Sequence, residues 1–348
     1  QKIYLTMQGC DLIGVIDAKS RLVMRYIPIG DAANQSPHDL EISEDGRYAY
    51  VPFFSGSIAQ KIDVLADTVV SSVNLGSVAF GGVGGAWSVI ALSPLDTAML
   101  VSGWVGNGSV VGVNTSSMHI NPRMSVDAIT GGTDLFPYPH GLAANGTFDT
   151  FYATLQNSVI KYAFDHTGVL AYHKSIAASG QPHQIEMAPD FSRYFVTCPD
   201  QDHANNDFVR VYDSRTDSQI AAIQVGHMPQ EMDIAPSKNY LFVACMADQD
   251  NQQTGRVGSV YVINMSTLVI VAKLYGDFSQ PHDVTVDEQD GIVVVPSRNQ
   301  GGAIPPHHAT KCGGAGWYTV YNLNTLQPES SKRYEVTNDP YAIGTRFK

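Results

Sequence analysis

One short phrase returns seven times along this chain, and a repeat of that length and number leaves few folds open. It begins with Pro-His or a substitute and continues into an alternating apolar run. A small turn around Pro-Asp or Asp-Gly follows, then a second β-rich run with an ending like Phe-Val-Thr. The copies are Pro37-His38-Asp39-Leu40, Ala86-Trp87-Ser88-Val89, Pro139-His140-Gly141-Leu142, Pro182-His183-Gln184-Ile185, Pro229-Gln230-Glu231-Met232, Pro281-His282-Asp283-Val284 and Pro340-Tyr341-Ala342-Ile343. Successive copies start about 43 to 59 residues apart, close to the size of one propeller blade.

The fourth copy shows what one unit contains. Residues 184–187 read as a short strand, Pro189-Asp190 as a turn, and 193–197 as a second strand rich in aromatic and β-branched residues. A loop over 199–207 leads to a third strand at 208–212, and after the turn 213–216 a fourth runs over 219–225. Four strands with no helix between them make a propeller blade. The chain ends fit the same scheme. Residues 340–345 have the signature of an inner strand with no second strand after it, whereas 3–7, 12–17 and 22–29 read as second, third and fourth strands with no inner strand before them. Joined, they complete one blade and remove two open sheet edges. The expected fold class is therefore all-β. It is a seven-bladed β-propeller of four antiparallel strands per blade, a single domain over 1–348, closed by pairing the N-terminal strands with the C-terminal one.

Composition agrees with this and excludes some functions. With 31 Gly, 18 Pro, 44% hydrophobic and 16% charged residues, the chain is turn-rich and buries a large core. A formal charge of -12 and no Lys/Arg cluster argue against a nucleic-acid partner. No apolar run is long enough for a transmembrane helix.

The endings Tyr-Val-Pro, Phe-Val-Thr and Phe-Val-Ala after the turns, with Asp closing the third strand in Val15-Ile16-Asp17 and Val211-Tyr212-Asp213, resemble those of YVTN/YncE-type β-propellers. That family belongs to the nitrous-oxide-reductase-like propeller superfamily. The resemblance spans the whole chain and implies an extracytoplasmic protein (periplasmic, cell-surface or secreted), with a leader or lipid-anchor segment removed ahead of Gln1. It implies a fold and carries no chemistry of its own.

In such a blade, the connection into the inner strand and the loop between strands two and three emerge on the same face. His38, His140, His183 and His282 are thus expected around the channel mouth, with Trp87, Gln230 and Tyr341 in the matching places of the other blades as a ligand or partner face. Converging imidazoles are metal-ligand material, and copper or zinc is the cofactor this would imply. The alternative is structural: each histidine hydrogen-bonds a neighbouring blade. Since adjacent histidines come only from the third and fourth copies, the four are expected to lie too far apart to share one ion. Nitrous-oxide-reductase-type propellers build a copper cluster from channel-mouth histidines, and this sequence resembles them there while showing no electron-transfer domain. A long loop over 299–316 adds His307, His308 and Cys312 to the same face, as further ligands or as a cap.

Polar loops at 200–207 and 248–253 lack the glycine and terminal glutamate of a calcium loop and read as solvated. No phosphate loop, Gly-x-Ser-x-Gly elbow or His-Glu-x-x-His is present. The leading expectation is a binding or scaffold propeller that offers its histidine-lined mouth to a small ligand, a metal or a protein. A metal-dependent, copper-type oxidoreductase is the alternative and a lactonase-like hydrolase a weaker one. For Cys10, Cys198, Cys245 and Cys312, free buried thiols are the plain reading. Where bridges form, Cys10 to Cys312 is favoured over Cys198 to Cys245, because two loops come together more easily than two strands.

Overall fold

The computed structural model describes residues 1–76, 86–104, 109–126, 138–200, 202, 206–249, 256–298, 316–331 and 333–345. They form seven four-stranded antiparallel sheets, and two three-residue 3-10 turns are their only helical segments. Blades are numbered here by their inner strands, so that blade 1 follows Pro37 and blade 7 is the joined one. In blade 7 the strands lie in the order Pro340–Thr345, Lys2–Met7, Leu12–Asp17, Leu22–Pro28. Ile3 stands opposite Thr345 and Leu5 opposite Ile343, which is the ring closure expected from the sequence.

The strands repeat because their turns do. The Asp or Asn that ends the third strand folds its side-chain oxygen over the next turn. Asp63 accepts from the amides of Leu65 and Ala66, Asn264 from those of Ser266 and Thr267, and Asn322 from those of Asn324 and Thr325, all at 2.8–3.1 Å. A left-handed residue four positions on completes the turn, as at Asp67, Leu268 and Leu326 (φ 54–58°). The side chain thus supplies the bond that tightens the reversal.

Burial falls from the axis outward. The inner strand Pro340–Thr345 is buried throughout, whereas the outer strand Leu22–Pro28 exposes Leu22, Met24 and Tyr26. No single core sits at the centre; among the described residues there are seven apolar clusters, each filling the gap between two neighbouring blades. Polar clasps cross the same gaps. Tyr4 and Tyr50 donate their hydroxyls to Asp67 and Asp96 of the next blade at 2.7 Å. No helix among the described residues is long and apolar enough to cross a membrane.

Cys198 and Cys245 are buried free thiols, pushed up by burial, Cys198 to about 12, so no bridge joins them. Cys10 is disulfide-bonded. Its favoured partner, Cys312, lies outside the described residues, as do His307 and His308.

Candidate metal centre at the channel mouth

The chain reaches the axis through a repeated strained turn. Ser36, Tyr138, Met228, Gln280 and Asp339 each precede the proline of their phrase, and each has a left-handed φ of 57–59°. A following proline disfavours the right-handed helical conformation, and the left-handed alternative reverses the chain sharply enough to aim the next residues inward. The amides of His38, His140 and His183 then bond to the carbonyls of Pro52, Thr154 and Thr197 on their own second strands at 2.8–3.0 Å, which fixes each histidine at the start of its inner strand.

All four phrase histidines meet. Ring centroids are 5.4 Å apart for His38 and His140, 4.0 Å for His140 and His183, 6.0 Å for His183 and His282, and 6.3 Å for His282 and His38. Their rings gather around the axis, yet among the described residues only His140 and His183 of the four fall in a group whose ligand atoms lie within 4.8 Å of one another. The three other phrase positions explain the closeness. Trp87 is fully buried in the apolar gap between blades 1 and 2, so His38 and His140 approach each other past blade 2. Gln230 folds back, its Nε2 donating to the carbonyls of Met228 and Pro229. Tyr341 stays in the ring, stacked on His282 at 3.8 Å with its hydroxyl 3.2 Å from His38 Nε2.

A residue outside the expected set completes the group. Pairing of the blade 5 inner strand is irregular between Pro229 and Met232, and such a bulge re-aims a side chain. Here Glu231 turns into the channel, where one ligand atom from each of His140, His183 and Glu231 all lie within 4.8 Å of one another. Gln184 donates its side-chain amide to Glu231 Oε2. The neighbouring carboxylates are already committed to backbone. Asp39 accepts from the amides of Leu40 and Ile90, and Asp283 from those of Val284 and Ile343, at 2.7–2.8 Å.

The electrostatics suit a cation. Burial, and then the charges of Asp283 and Asp39, hold the Glu231 carboxyl well above the usual carboxylate range, and burial does the same for Asp283. The Nδ1–H of His140 donates to the carbonyl of His183 at 3.2 Å, which leaves the lone pair on Nε2, a buried atom without a hydrogen-bond partner. A carbonyl behind an imidazole is the usual device for fixing the metal-binding tautomer. Burial lowers His140 from 6.5 to about 4, keeping the ring neutral.

That shift predicts acid sensitivity. Between pH 6.5 and 4 the unfolded His140 takes up a proton that the folded ring refuses, so stability falls as pH falls, by as much as about 3 kcal/mol. The raised carboxyls of Glu231 and Asp283 act in the opposite sense, their contribution declining as pH rises above the ordinary carboxylate range. The His140 part is isolated by comparing urea melts of the parent and a His140→Gln variant. The parent's advantage should shrink by up to that amount from pH 7 to pH 4, and a constant gap would contradict it.

Beside the histidines runs a strip of partly exposed rings. Phe54 stacks on His38 at 5.0 Å, Trp104 lies 5.8 Å from Phe54, and Tyr138 lies 5.4 Å from Trp104. Among the described residues of the polar loops, Asp202, Asn206 and Gln249 are exposed as the sequence suggests, whereas two carboxylates are buried. Asp207 is fully buried and binds His227 Nδ1 at 2.9 Å, and Asp248 pairs with Lys273 at 2.9 Å, so both carboxylates brace loops.

No family model and no curated protein matches the chain. Solved structures do. Hydrazine synthase of Kuenenia stuttgartiensis is similar at 15% identity and TM-score 0.66, covering 91% of this chain and 90% of its own. The dihydro-heme d1 dehydrogenase NirN in complex with DHE is 13% identical at TM-score 0.61, covering 99% and 75%. A functionally unknown protein from Desulfotomaculum acetoxidans is 11% identical at TM-score 0.69, covering 98% and 99%. The likeness is one of fold.

Proposed function

We propose that this propeller binds a divalent transition metal, zinc or copper, through His140, His183 and Glu231, and presents the ion's open side to a small ligand under His38 and His282. The observation that carries the reading is the convergence of three donor groups within 4.8 Å, one of them a buried imidazole nitrogen without a partner. Two imidazoles and a carboxylate suit zinc or copper, and three protein ligands leave a coordination position open for water or ligand. The aromatic strip of Phe54, Trp104 and Tyr138 offers that ligand a stacking surface. Two of the similar folds bear the names of enzymes, and one of these is in complex with DHE. The same architecture thus hosts small-molecule chemistry elsewhere.

The strand endings support kinship with YVTN/YncE-type propellers and, with it, an extracytoplasmic location. The disulfide at Cys10 supports that location too, because disulfides persist in oxidising compartments.

The test is calorimetric titration of chelator-stripped protein with Zn²⁺ and Cu²⁺. One ion should bind per chain, and His140→Ala or Glu231→Gln should each weaken it by roughly 100-fold or more, at least the loss seen when outer-shell partners are removed. Absence of one-to-one binding, or full affinity in both variants, would overturn the reading.

A further inference from the structure

The three tryptophans of the chain are placed very differently. Trp87 and Trp317 are fully buried, whereas Trp104, the residue after the second strand of blade 2, is 40% exposed on the histidine face. It does not stand alone. Its ring contacts Phe54 and Tyr138, tilted by 34° and 55°, and Phe54 in turn is stacked on His38 at 23°. The strip therefore leads from the surface to an imidazole whose ring lies 5.4 Å from that of His140. Scattered exposed rings need no explanation, but contiguous ones at the edge of a polar site mark a binding surface.

We propose that the ligand of the metal site is an aromatic nitrogen base, an azole bearing a flat aryl body, with its nitrogen on the ion and its aryl group on Phe54 and Trp104. This rests on the metal reading above; the strip and the charges around the ion select the class. The strip accounts for the body. Aromatic rings attract one another in offset and edge-on contacts, a gain that a saturated body of the same size does not share. The charges account for the head. Asp39 and Asp283 already act on Glu231 in the channel, so an anionic head would bring a further negative charge among carboxylates. The Arg298 guanidinium, which lies over Tyr341, is taken up by both oxygens of Asp339 and is not available to such a head. A neutral nitrogen donor adds no charge, and imidazole-type nitrogen suits zinc and copper alike.

The probes are imidazole, 4-phenylimidazole, 4-cyclohexylimidazole and benzoate, titrated by calorimetry into the zinc-loaded full chain. 4-Phenylimidazole should bind one per zinc, on the order of tenfold more tightly than imidazole and roughly threefold more tightly than the cyclohexyl compound, with benzoate weaker than all three. Because the other two tryptophans are buried, acrylamide quenching of the protein's fluorescence reports on Trp104, and 4-phenylimidazole should protect it where imidazole does not. Trp104→Ala should bring 4-phenylimidazole down to the level of imidazole. Phe54→Leu serves as a second variant should Trp104→Ala fail to melt cooperatively, and zinc titration of each checks that the site is still formed. Failure of the parent to bind zinc would overturn this inference and the metal reading together. Zinc binding with equal affinity for the phenyl and cyclohexyl compounds, with a preference for benzoate, or with 4-phenylimidazole undiminished in the variants would overturn this inference alone.

Discussion

Deleting residues 340–348 is expected to abolish the closed propeller, giving a chain that elutes as larger oligomers than the parent and shows no cooperative melt. The strand Pro340–Thr345 is buried at every residue. It is hydrogen-bonded along Lys2–Met7, and its loss strips blade 7 of its innermost layer. Tyr341 and Ala342 also belong to the apolar cluster shared with blade 1, and Ile343 to the one shared with blade 6, so both neighbouring gaps open at once. The Ile343 amide is the partner of buried Asp283, whose carboxyl would lose that bond. Burying one such large side chain contributes about 1.5–3 kcal/mol, and a domain's whole stability is only about 5–15 kcal/mol. The exposed edge of Lys2–Met7 would then template pairing with another chain. A truncated protein with the parent's oligomeric state and an unchanged melting temperature would show that the ring holds without this strand.

The fold was readable because each blade restates the same local chemistry. Pro-His opens the inner strand and an Asp or Asn folds the outer turn, so seven weak local signals agree. The site was only partly readable, and the reason is geometric. Sequence position placed His38, His140, His183 and His282 on one rim, but the rim's width depends on side chains that turn away. Trp87 packs sideways into the gap between blades 1 and 2, and no repeat pattern announces that. Glu231 is hidden in the sequence because Gln230 holds the phrase position of the histidines, and only the irregular pairing at 229–232 brings the next residue inward. The polar residue after three of the four Pro-His pairs, Asp39, Gln184 and Asp283, is the available hint that the channel holds carboxylates and amides below its imidazoles. Phe54 and Trp104 stand at the same place, six residues after the start of their second strands in neighbouring blades, but Tyr138 comes from the connection ahead of blade 3, so the contact of all three is a product of the fold.

Substituting Arg298 by Met is expected to cost about 3–5 kcal/mol, the usual penalty for leaving one half of a buried ion pair behind. Arg298 and Asp339 are both fully inaccessible, and the pair is bidentate, with Nε to Oδ1 at 2.8 Å and Nη2 to Oδ2 at 3.0 Å. The guanidinium also lies over the Tyr341 ring at 4.8 Å, and its Nη2 is 3.4 Å from Gln8 Oε1. One side chain therefore joins the end of the second strand of blade 6 to the turn that launches the closing strand of blade 7. Without it, the Asp339 carboxylate stays buried at a residue already held at φ 57°, with neither its cation nor water to stabilise it. The companion change Asp339→Asn tests that cause, because Asn tolerates the left-handed backbone and carries no charge. Urea melts should then rank the parent first, the double variant Arg298→Met/Asp339→Asn second and Arg298→Met last. A double variant no more stable than Arg298→Met would instead assign the loss to the guanidinium's packing against Tyr341, and through Tyr341 to the ring it stacks on, His282.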